Sequence, residues 1–320
     1  MKKLNLLIIA LFFATIYYGC KKKDDTTIAN PTPPAAEDNY TSMAQFHSIN
    51  GVQMQTHIVD AVAGGSFTTP QGTLVSIPAN AFKTQGGLPV TGLVTIQFKD
   101  IYKKSDMLLS DKGTQYWTGI PLKSGGEFFI KAMQANVPVK LVTGEKISVT
   151  QPLNGLAVDT AMKPMVIPGI DNSWAPPTSD SLTPYDSINI FANTYVFSLY
   201  SFNNPLDSGT WCNSDNPNAF TSYPQTTLTL HGLNSVNLYS TEVYLLFNNL
   251  NCMIHVYGGI NFPYYYAPLG VQCTAVAVGV SNGKLFSSFV PITITSNLTV
   301  NFTLSQTTAT DFKAALAALN

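Results

Sequence analysis

The sequence is poor in charged side chains. Asp, Glu, Lys and Arg make up 11% of its 320 residues, against roughly 25% in typical soluble domains. The formal net charge is −1, and the only run of basic residues is Lys21-Lys22-Lys23. A nucleic-acid-binding domain needs a clustered basic face, so this composition argues against nucleic acid as a partner.

Catalytic and metal-binding motifs are also missing. The four histidines, His47, His57, His231 and His255, stand in no H-E-x-x-H motif and in no Cys/His cluster with metal spacing. The sequence has no G-x-S-x-G elbow, no phosphate-binding glycine loop, no C-x-x-C and no calcium loop with a distal Glu. We therefore expect no catalytic residue, metal or cofactor. A hydrolase whose site is assembled only by the fold remains an alternative.

The first 19 residues have the layout of a secretory signal. Lys2 and Lys3 precede an apolar run from residue 4 to residue 18, which is shorter than the ~20 residues that a membrane-spanning helix needs. Residues 17–20, Tyr-Tyr-Gly-Cys, resemble the bacterial lipobox, although Tyr17 stands where Leu is usual. The resemblance implies cleavage before Cys20, acylation of that residue and anchoring to a membrane.

Residues 20–42 are predicted to be a flexible stalk. Residues 30–36, Asn-Pro-Thr-Pro-Pro-Ala-Ala, are rich in proline and lack large apolar side chains. The run Lys21-Lys22-Lys23-Asp24-Asp25 resembles the charged cluster that follows the lipidated cysteine in Bacteroidetes surface lipoproteins. That resemblance implies an outer-membrane protein facing the cell exterior. The alternative is that the run is only a solvated spacer.

Three further cysteines, Cys212, Cys252 and Cys273, are disulfide candidates, because an exported protein enters a compartment that permits disulfides. Three cysteines allow one bridge and one thiol, and the sequence does not choose the pair.

Residues 43–152 read as short strands separated by glycine-containing turns. Val94, Ile96 and Phe98 alternate with polar residues, as in a half-buried strand, and the whole region predicts a β-sandwich. The segments at 64–73 and 75–82 resemble the opening of the ZU-type sandwich domain of ankyrins and netrin receptors, and that of Bacteroidetes lipoproteins of unknown function. The resemblance covers about residues 60–150 and implies a ZU-like β-sandwich over residues 43–152.

Residues 153–190 are rich in Pro, Ser and Asp and are predicted to be a linker. Three tripeptides in it match Asp, then Ser or Thr, then an aliphatic residue or Ala, a pattern that Bacteroidetes use for O-glycosylation. Thr160, Ser181 and Ser187 are therefore glycosylation candidates, although such short matches also arise by chance. A glycan there would be bulky and solubilising.

Residues 191–305 are predicted to form a second β-sandwich. Alternating apolar residues recur along it, and the pair Asn282-Gly283 is a strong hairpin signal. The part from about 226 to 305 has the length of a transthyretin-like sandwich. Residues 306–320 predict a short amphipathic helix, capped by Thr310 and docked on the adjacent sheet.

The aromatic run at 262–266 contains the ligand-contact candidates Tyr264, Tyr265 and Tyr266. It lies between two predicted strands and is expected to be a loop. Exposed tyrosines stack on sugars and suit protein contacts, whereas buried ones would only cover an open end of the sandwich.

Together these features predict an all-β protein of two sandwiches and a short C-terminal helix, carried on a membrane anchor. A binding, adhesion or assembly role fits better than catalysis. A glycan or a protein is the expected ligand, and a glycan-binding accessory subunit of a nutrient-uptake system is one specific alternative.

Overall fold

The computed structural model describes residues 38–167, 173–177, 187–191, 194–200, 209–233, 241–257, 261 and 263–320. The predicted signal peptide, Cys20 and most of the stalk lie outside these ranges. No helix in the described part of the chain is long and apolar enough to cross a bilayer.

Strands dominate the described residues, and most of them pair antiparallel. In chain order they are β1 Gln55–Asp60, β2 Gly65–Thr68, β3 Leu74–Ile77, β4 Phe82–Lys83, β5 Leu93–Ile101, β6 Lys123–Gln134, β7 Val137–Pro138, β8 Lys140–Leu141, β9 Ile147–Pro152, β10 Lys163–Val166, β11 Ser187–Phe191, β12 Thr194–Leu199, β13 Thr210–Asn216, β14 Gln225–Gly232, β15 Thr241–Phe247, β16 Met253–Val256, β17 Pro263–Pro268, β18 Gln272–Ser281, β19 Lys284–Thr293, β20 Leu298–Phe302 and β21 Ser305–Thr307. The helices are α1 Met43–Asn50, α2 Lys104–Leu109 and α3 Ala309–Ala317. The predicted all-β class and the short C-terminal helix are confirmed.

Two sheets enclose the first core. One has the order β1-β5-β6-β13-β10, with β7 added to β6, and the other has the order β11-β12-β9-β3-β2. Val94, Ile96 and Phe98 of β5 are fully buried in this core, as their alternation predicts. Phe197 and Leu199 of β12 pack into it from the opposite sheet.

A second pair of sheets encloses a separate core. The smaller sheet has the order β17-β14-β20, in which β14 and β20 run parallel, and the larger has the order β16-β15-β18-β19-β21. Leu228 and Leu230 of β14 face Val243 and Leu245 of β15 across this core. The turn at Asn282-Gly283 joins β18 to β19 with positive φ at both residues, as the hairpin prediction requires.

Helices cover the outer face of the larger sheet. Phe46 of α1, Leu108 of α2 and Phe312 of α3 pack with Leu246 of β15 and Val278 of β18. Both faces of β15 and β18 are therefore buried. α1 and α2 lie in the region 43–152, where only strands were predicted, and they dock on the second sandwich because their apolar side chains need a partner surface.

The boundary between the sandwiches differs from the predicted one at residue 191. β13 pairs with β6 and β10, while β12 pairs with β9, so the chain returns to the first pair of sheets after the predicted linker. The predicted linker itself contributes β10 and most of β11. Apolar residues such as Val166 pack into the first core and make these segments structural.

The cap of α3 is Thr308, where the sequence pattern favoured Thr310. The Thr308 hydroxyl accepts a hydrogen bond from the backbone N–H of Asp311 at 3.1 Å and donates to the Asp311 carboxylate at 2.8 Å. This reciprocal contact resembles a capping box, in which the third helical residue reaches back to the cap.

Candidate functional site

A β-hairpin at residues 113–122 lies beside the smaller sheet of the second sandwich. Its arms are joined by a bond from Leu122 N–H to the Thr114 carbonyl at 2.8 Å, and its tip turns at Tyr116-Trp117-Thr118-Gly119. The turn is closed by a 2.8 Å bond from Gly119 N–H to the Tyr116 carbonyl. Trp117 at the tip is 64% exposed.

Trp174 anchors this hairpin. Its indole N–H donates to the Gly113 carbonyl at 2.6 Å, and its own carbonyl accepts from the Trp117 N–H at 3.0 Å. The ring is fully buried with Leu122 and Met165. The tip is therefore held by a packed side chain, and the exposure of Trp117 does not result from a loose loop.

The strand β17 lies directly against the same turn. Tyr264 is buried in the second core and donates its hydroxyl hydrogen to the Gly119 carbonyl at 2.8 Å. Tyr265 and Tyr266 are 62% and 38% exposed. We call Trp117, Tyr265 and Tyr266 the aromatic surface.

Gly119 allows Tyr266 to sit against the turn. A Cβ atom at this position would lie 2.6 Å from Cδ2 of the Tyr266 ring, closer than real Cβ atoms approach. Its φ of +93° is also a conformation that side chains disfavour. Only glycine satisfies both conditions without displacing the ring.

The aromatic run was predicted to be a loop, and the structure corrects this. Residues 263–268 form the edge strand β17. Tyr264 is a core residue, while Tyr265 and Tyr266 are exposed. Trp117 was not singled out from the sequence, since its position beside β17 depends on a contact across about 150 residues; the Gly in its turn was the only local signal.

The three disulfide candidates form no bridge in the described structure. Cys212, Cys252 and Cys273 are buried thiols. Cys212 lies in the first core, whereas Cys252 and Cys273 lie in the second. Burial raises the pKa of Cys273 to about 12 and raises that of Cys252 as well. These cysteines therefore behave as small apolar core residues.

The glycosylation candidates fall in different surroundings. Thr160 is exposed at a turn, whereas the preceding Asp159 carboxylate accepts hydrogen bonds from Lys123 at 2.8 Å and Asn216 at 3.0 Å. Ser187 is half-buried at the start of the edge strand β11. Ser181 lies outside the described residues. Thr160 is the more accessible of the two described positions.

A chain of titratable groups joins α1 to the larger sheet. His47 Nε2 lies 2.6 Å from Glu242 Oε2, and the Tyr244 hydroxyl lies 2.7 Å from the same oxygen. The hydroxyl is also 3.2 Å from Asp111 Oδ1, which lies 2.8 Å from His255 Nδ1. The Tyr244 phenol therefore lies between two carboxyl groups, each of which pairs with a histidine.

The protonation states in this chain follow from its geometry. His47 Nδ1 lies 3.1 Å from the Leu109 carbonyl and can only donate there, so Nε2 can donate to Glu242 only in the charged imidazolium. Burial opposes that charge, but the hydrogen bond and the charge of Glu242, with smaller contributions from Asp111 and Leu109, leave the pKa of His47 raised. The imidazolium holds α1 against β15 and is engaged at both nitrogens, which suits a structural contact.

Two acidic residues are buried between the sandwiches. The carboxylate oxygens of Glu127 and Asp215 have no hydrogen-bond partner among the described residues. Burial raises the pKa of both carboxyl groups well above the ordinary range, and the charge of Asp215 adds to the effect at Glu127. In both groups burial thus favours the neutral acid over the carboxylate.

No group of three or more His, Cys, Asp or Glu within the described ranges could hold a metal ion. Comparison of the whole chain with protein-family models, with curated proteins and with solved structures returned no match. The aromatic surface is accordingly identified from its own geometry as the candidate ligand-binding site.

Proposed function

We propose that the protein is a non-catalytic binding module, anchored in the outer membrane through acylated Cys20 and facing the cell exterior. The aromatic surface is its ligand-contact site. The observation that carries this proposal is the exposure of Trp117 and Tyr265, two large rings on a rigid hairpin and an adjoining strand. Aromatic anchors on a rigid support lose little conformational freedom on binding.

The titratable clusters support a binding role over catalysis. His47 is engaged at both ring nitrogens, and the carboxylates of Glu127 and Asp215 are shut away from solvent. A general acid or base must reach its substrate within hydrogen-bond distance. A hydrolase assembled by the fold remains the alternative, and measurable hydrolysis of glycoside, ester or peptide substrates by purified protein would favour it.

Binding can be tested with the full-length protein in detergent on a glycan array and on immobilised extracellular proteins such as mucin and fibronectin. Trp117→Ala combined with Tyr265→Ala should abolish retention on whatever the wild type binds. Phe191→Ala is the matched control, because Phe191 is a 74% exposed aromatic residue on β11 of the other sandwich. Equal retention of both variants would contradict the proposal.

The proposed membrane anchoring through Cys20 is tested separately. Cys20→Ser should move the protein from the membrane fraction to the soluble fraction of the cell envelope. Protease added to intact cells should degrade the wild-type protein if it faces the exterior. A Cys20→Ser protein that stays in the membrane, or a wild-type protein that resists the protease on intact cells but not on broken ones, would contradict this placement.

A further inference from the structure

We infer that the ligand of the aromatic surface is an uncharged carbohydrate chain. This inference rests on the proposed function and specifies the class of ligand. It comes from the lack of charge in the elements that carry the three rings, and from the kind of side chains exposed on the neighbouring strands β14 and β20.

No Asp, Glu, Lys or Arg occurs in the hairpin 113–122 or in the strands β14, β17 and β20. The hairpin is flanked by two lysines that are engaged elsewhere. Lys112 Nζ lies 4.9 Å from the centroid of the Trp211 ring, and Lys123 pairs with Asp159 at 2.8 Å. An anionic polymer would therefore meet no cation on this surface, and a cationic one would meet no carboxylate.

The outward positions of β14 and β20 in the smaller sheet are polar. Thr229 pairs with Thr299 and His231 pairs with Asn301 between the parallel strands β14 and β20, and all four side chains are exposed. Tyr265 is exposed on β17, the neighbouring strand of the same sheet. Hydroxyl and amide groups thus lie beside an aromatic ring.

This combination fits sugars better than protein. A pyranose ring presents apolar C–H groups that pack on an aromatic face and hydroxyl groups that pair with neutral donors and acceptors. A stable protein partner would call for a buried apolar centre, whereas the outward positions of β14 and β20 carry Thr, His and Asn. The outward positions of β14 and β20 therefore supply the neutral polar groups that an uncharged glycan needs.

The hairpin adjoins this sheet at its edge strand β17. Trp117 stands in the turn whose Gly119 is covered by Tyr266, and Tyr265 is the next residue along the strand. Exposed rings from two elements thus lie at this edge of the sheet.

Affinity electrophoresis of the full-length protein in gels containing polysaccharide tests this inference. Neutral probes are xyloglucan, galactomannan and soluble starch, and anionic probes are polygalacturonate, alginate and heparin. We expect retardation by at least one neutral polymer, insensitive to salt, and no retardation by the anionic ones. Trp117→Ala and Tyr265→Ala should each weaken it on the order of tenfold, whereas Tyr265→Phe, which keeps the ring, and Phe191→Ala should not.

Gly119→Ala provides a second readout, because it displaces the Tyr266 ring without removing any aromatic residue. It should weaken retardation while the far-UV circular dichroism spectrum stays unchanged. Should this variant lose its fold, the Tyr265→Ala and Tyr265→Phe pair still decides the matter, since both change an exposed side chain.

The outcomes separate the inference from the proposed function. Retardation by anionic polymers alone, lost in Trp117→Ala, would overturn the neutral class and leave the aromatic surface as a binding site. Retention on immobilised proteins alone, lost in the same variants, would also overturn the neutral carbohydrate class and leave the aromatic surface as a binding site. Neutral binding that survives both ring deletions would overturn the assignment of the surface, and no binding to any polymer or protein would contradict the proposed function itself.

Discussion

At the scale of single residues, Glu127 has the most unusual surroundings. Its carboxyl group is fully buried without a hydrogen-bond partner among the described residues, and Asp215 lies near enough to raise its pKa further. The charge of Lys112 lowers the pKa of Glu127, but this pKa remains raised overall. A carboxyl group in such a place is stable only as the neutral acid.

Glu127→Gln should therefore stabilise the protein at alkaline pH. The pKa of Glu127 is higher in the folded state than in the unfolded state, so stability is lost as pH rises from the unfolded value near 4.3 through the folded pKa. The variant keeps the shape of the side chain and cannot ionise. We expect a gain of about 1–3 kcal/mol in unfolding free energy at pH 9, measured by urea denaturation, and little change at pH 4.

Glu145→Gln is the control for this prediction, since Glu145 lies in a surface turn of the first sandwich. It should leave the pH dependence unchanged. Destabilisation by Glu127→Gln at both pH values would mean that the ionised carboxylate has a partner and would refute the interpretation.

The core cysteines lead to a second prediction at this scale. Cys212, Cys252 and Cys273 are inaccessible, and burial raises the thiol pKa of the latter two, so thiolate is scarce. In the folded protein none of them should react with maleimide, whereas all three should react in guanidinium chloride. Mass spectrometry counts the adducts. Fewer than three adducts on these residues in denaturant without reductant would reveal a disulfide.

At the scale of elements, the attachment of α1 depends on a titratable contact. Its His47 reaches Glu242 on β15 and the Leu109 carbonyl at the end of α2. Asp111 and Tyr244 also face this contact, and His255 pairs with Asp111. Phe46 packs beneath it in the apolar layer that the helices share with the larger sheet.

The docking of α1 should weaken as pH rises. The pKa of His47 is higher in the folded state, so the stability that it contributes is complete below its unfolded pKa near 6.5 and is lost as pH rises through the folded value. Hydrogen exchange of the α1 amides should therefore become less protected between pH 6 and pH 9, after correction for intrinsic rates. His47→Gln should cost about 1–2 kcal/mol at pH 6 and less at pH 9.

His231→Gln serves as the comparison, because His231 is exposed on β14 in the smaller sheet. It should not alter exchange in α1 at any pH. Loss of protection that has the same pH dependence in His47→Gln and in the wild type would show that another group controls the helix.

At the scale of the whole molecule, the strands of the first sandwich end at β13 and those of the second begin at β14, while α1 and α2 link the two. β12 and β13 complete the first pair of sheets after the predicted boundary, while α1 and α2 precede most of that sandwich in sequence and pack on the second. Residues 38–320 form one compact unit. The second sandwich therefore depends on two helices that the N-terminal part of the chain supplies.

A fragment of residues 38–190 should fail to fold. It lacks β13, which stands between β6 and β10, and β12, which stands between β11 and β9. The full-length protein should unfold in one transition, with coincident curves from far-UV circular dichroism and tryptophan fluorescence. A cooperative transition in the isolated fragment, or two separated transitions in the full chain, would contradict this prediction.

How far the sequence predicts this fold is clear from particular strands. The alternation at Val94, Ile96 and Phe98 was sufficient to predict strand β5 and its buried face, because a strand with one buried face repeats every two residues. In β18 the alternation of Val276 with Ala275 and Ala277 predicts a strand, but it does not reveal that the two faces are buried in different cores. The covering helices come from distant parts of the chain, and a local pattern carries no information about them.

The candidate site, too, could be predicted only in part from the sequence. The sequence by itself determined the all-β class, the Asn282-Gly283 turn and the concentration of aromatic residues at 264–266, since these follow from period, backbone preference and composition. Only the tertiary structure decided that Tyr264 is buried, that Tyr265 is exposed and that Trp117 lies beside them. Exposure depends on which elements pack together, and the hairpin and β17 meet through a contact between Tyr264 and Gly119, 145 residues apart.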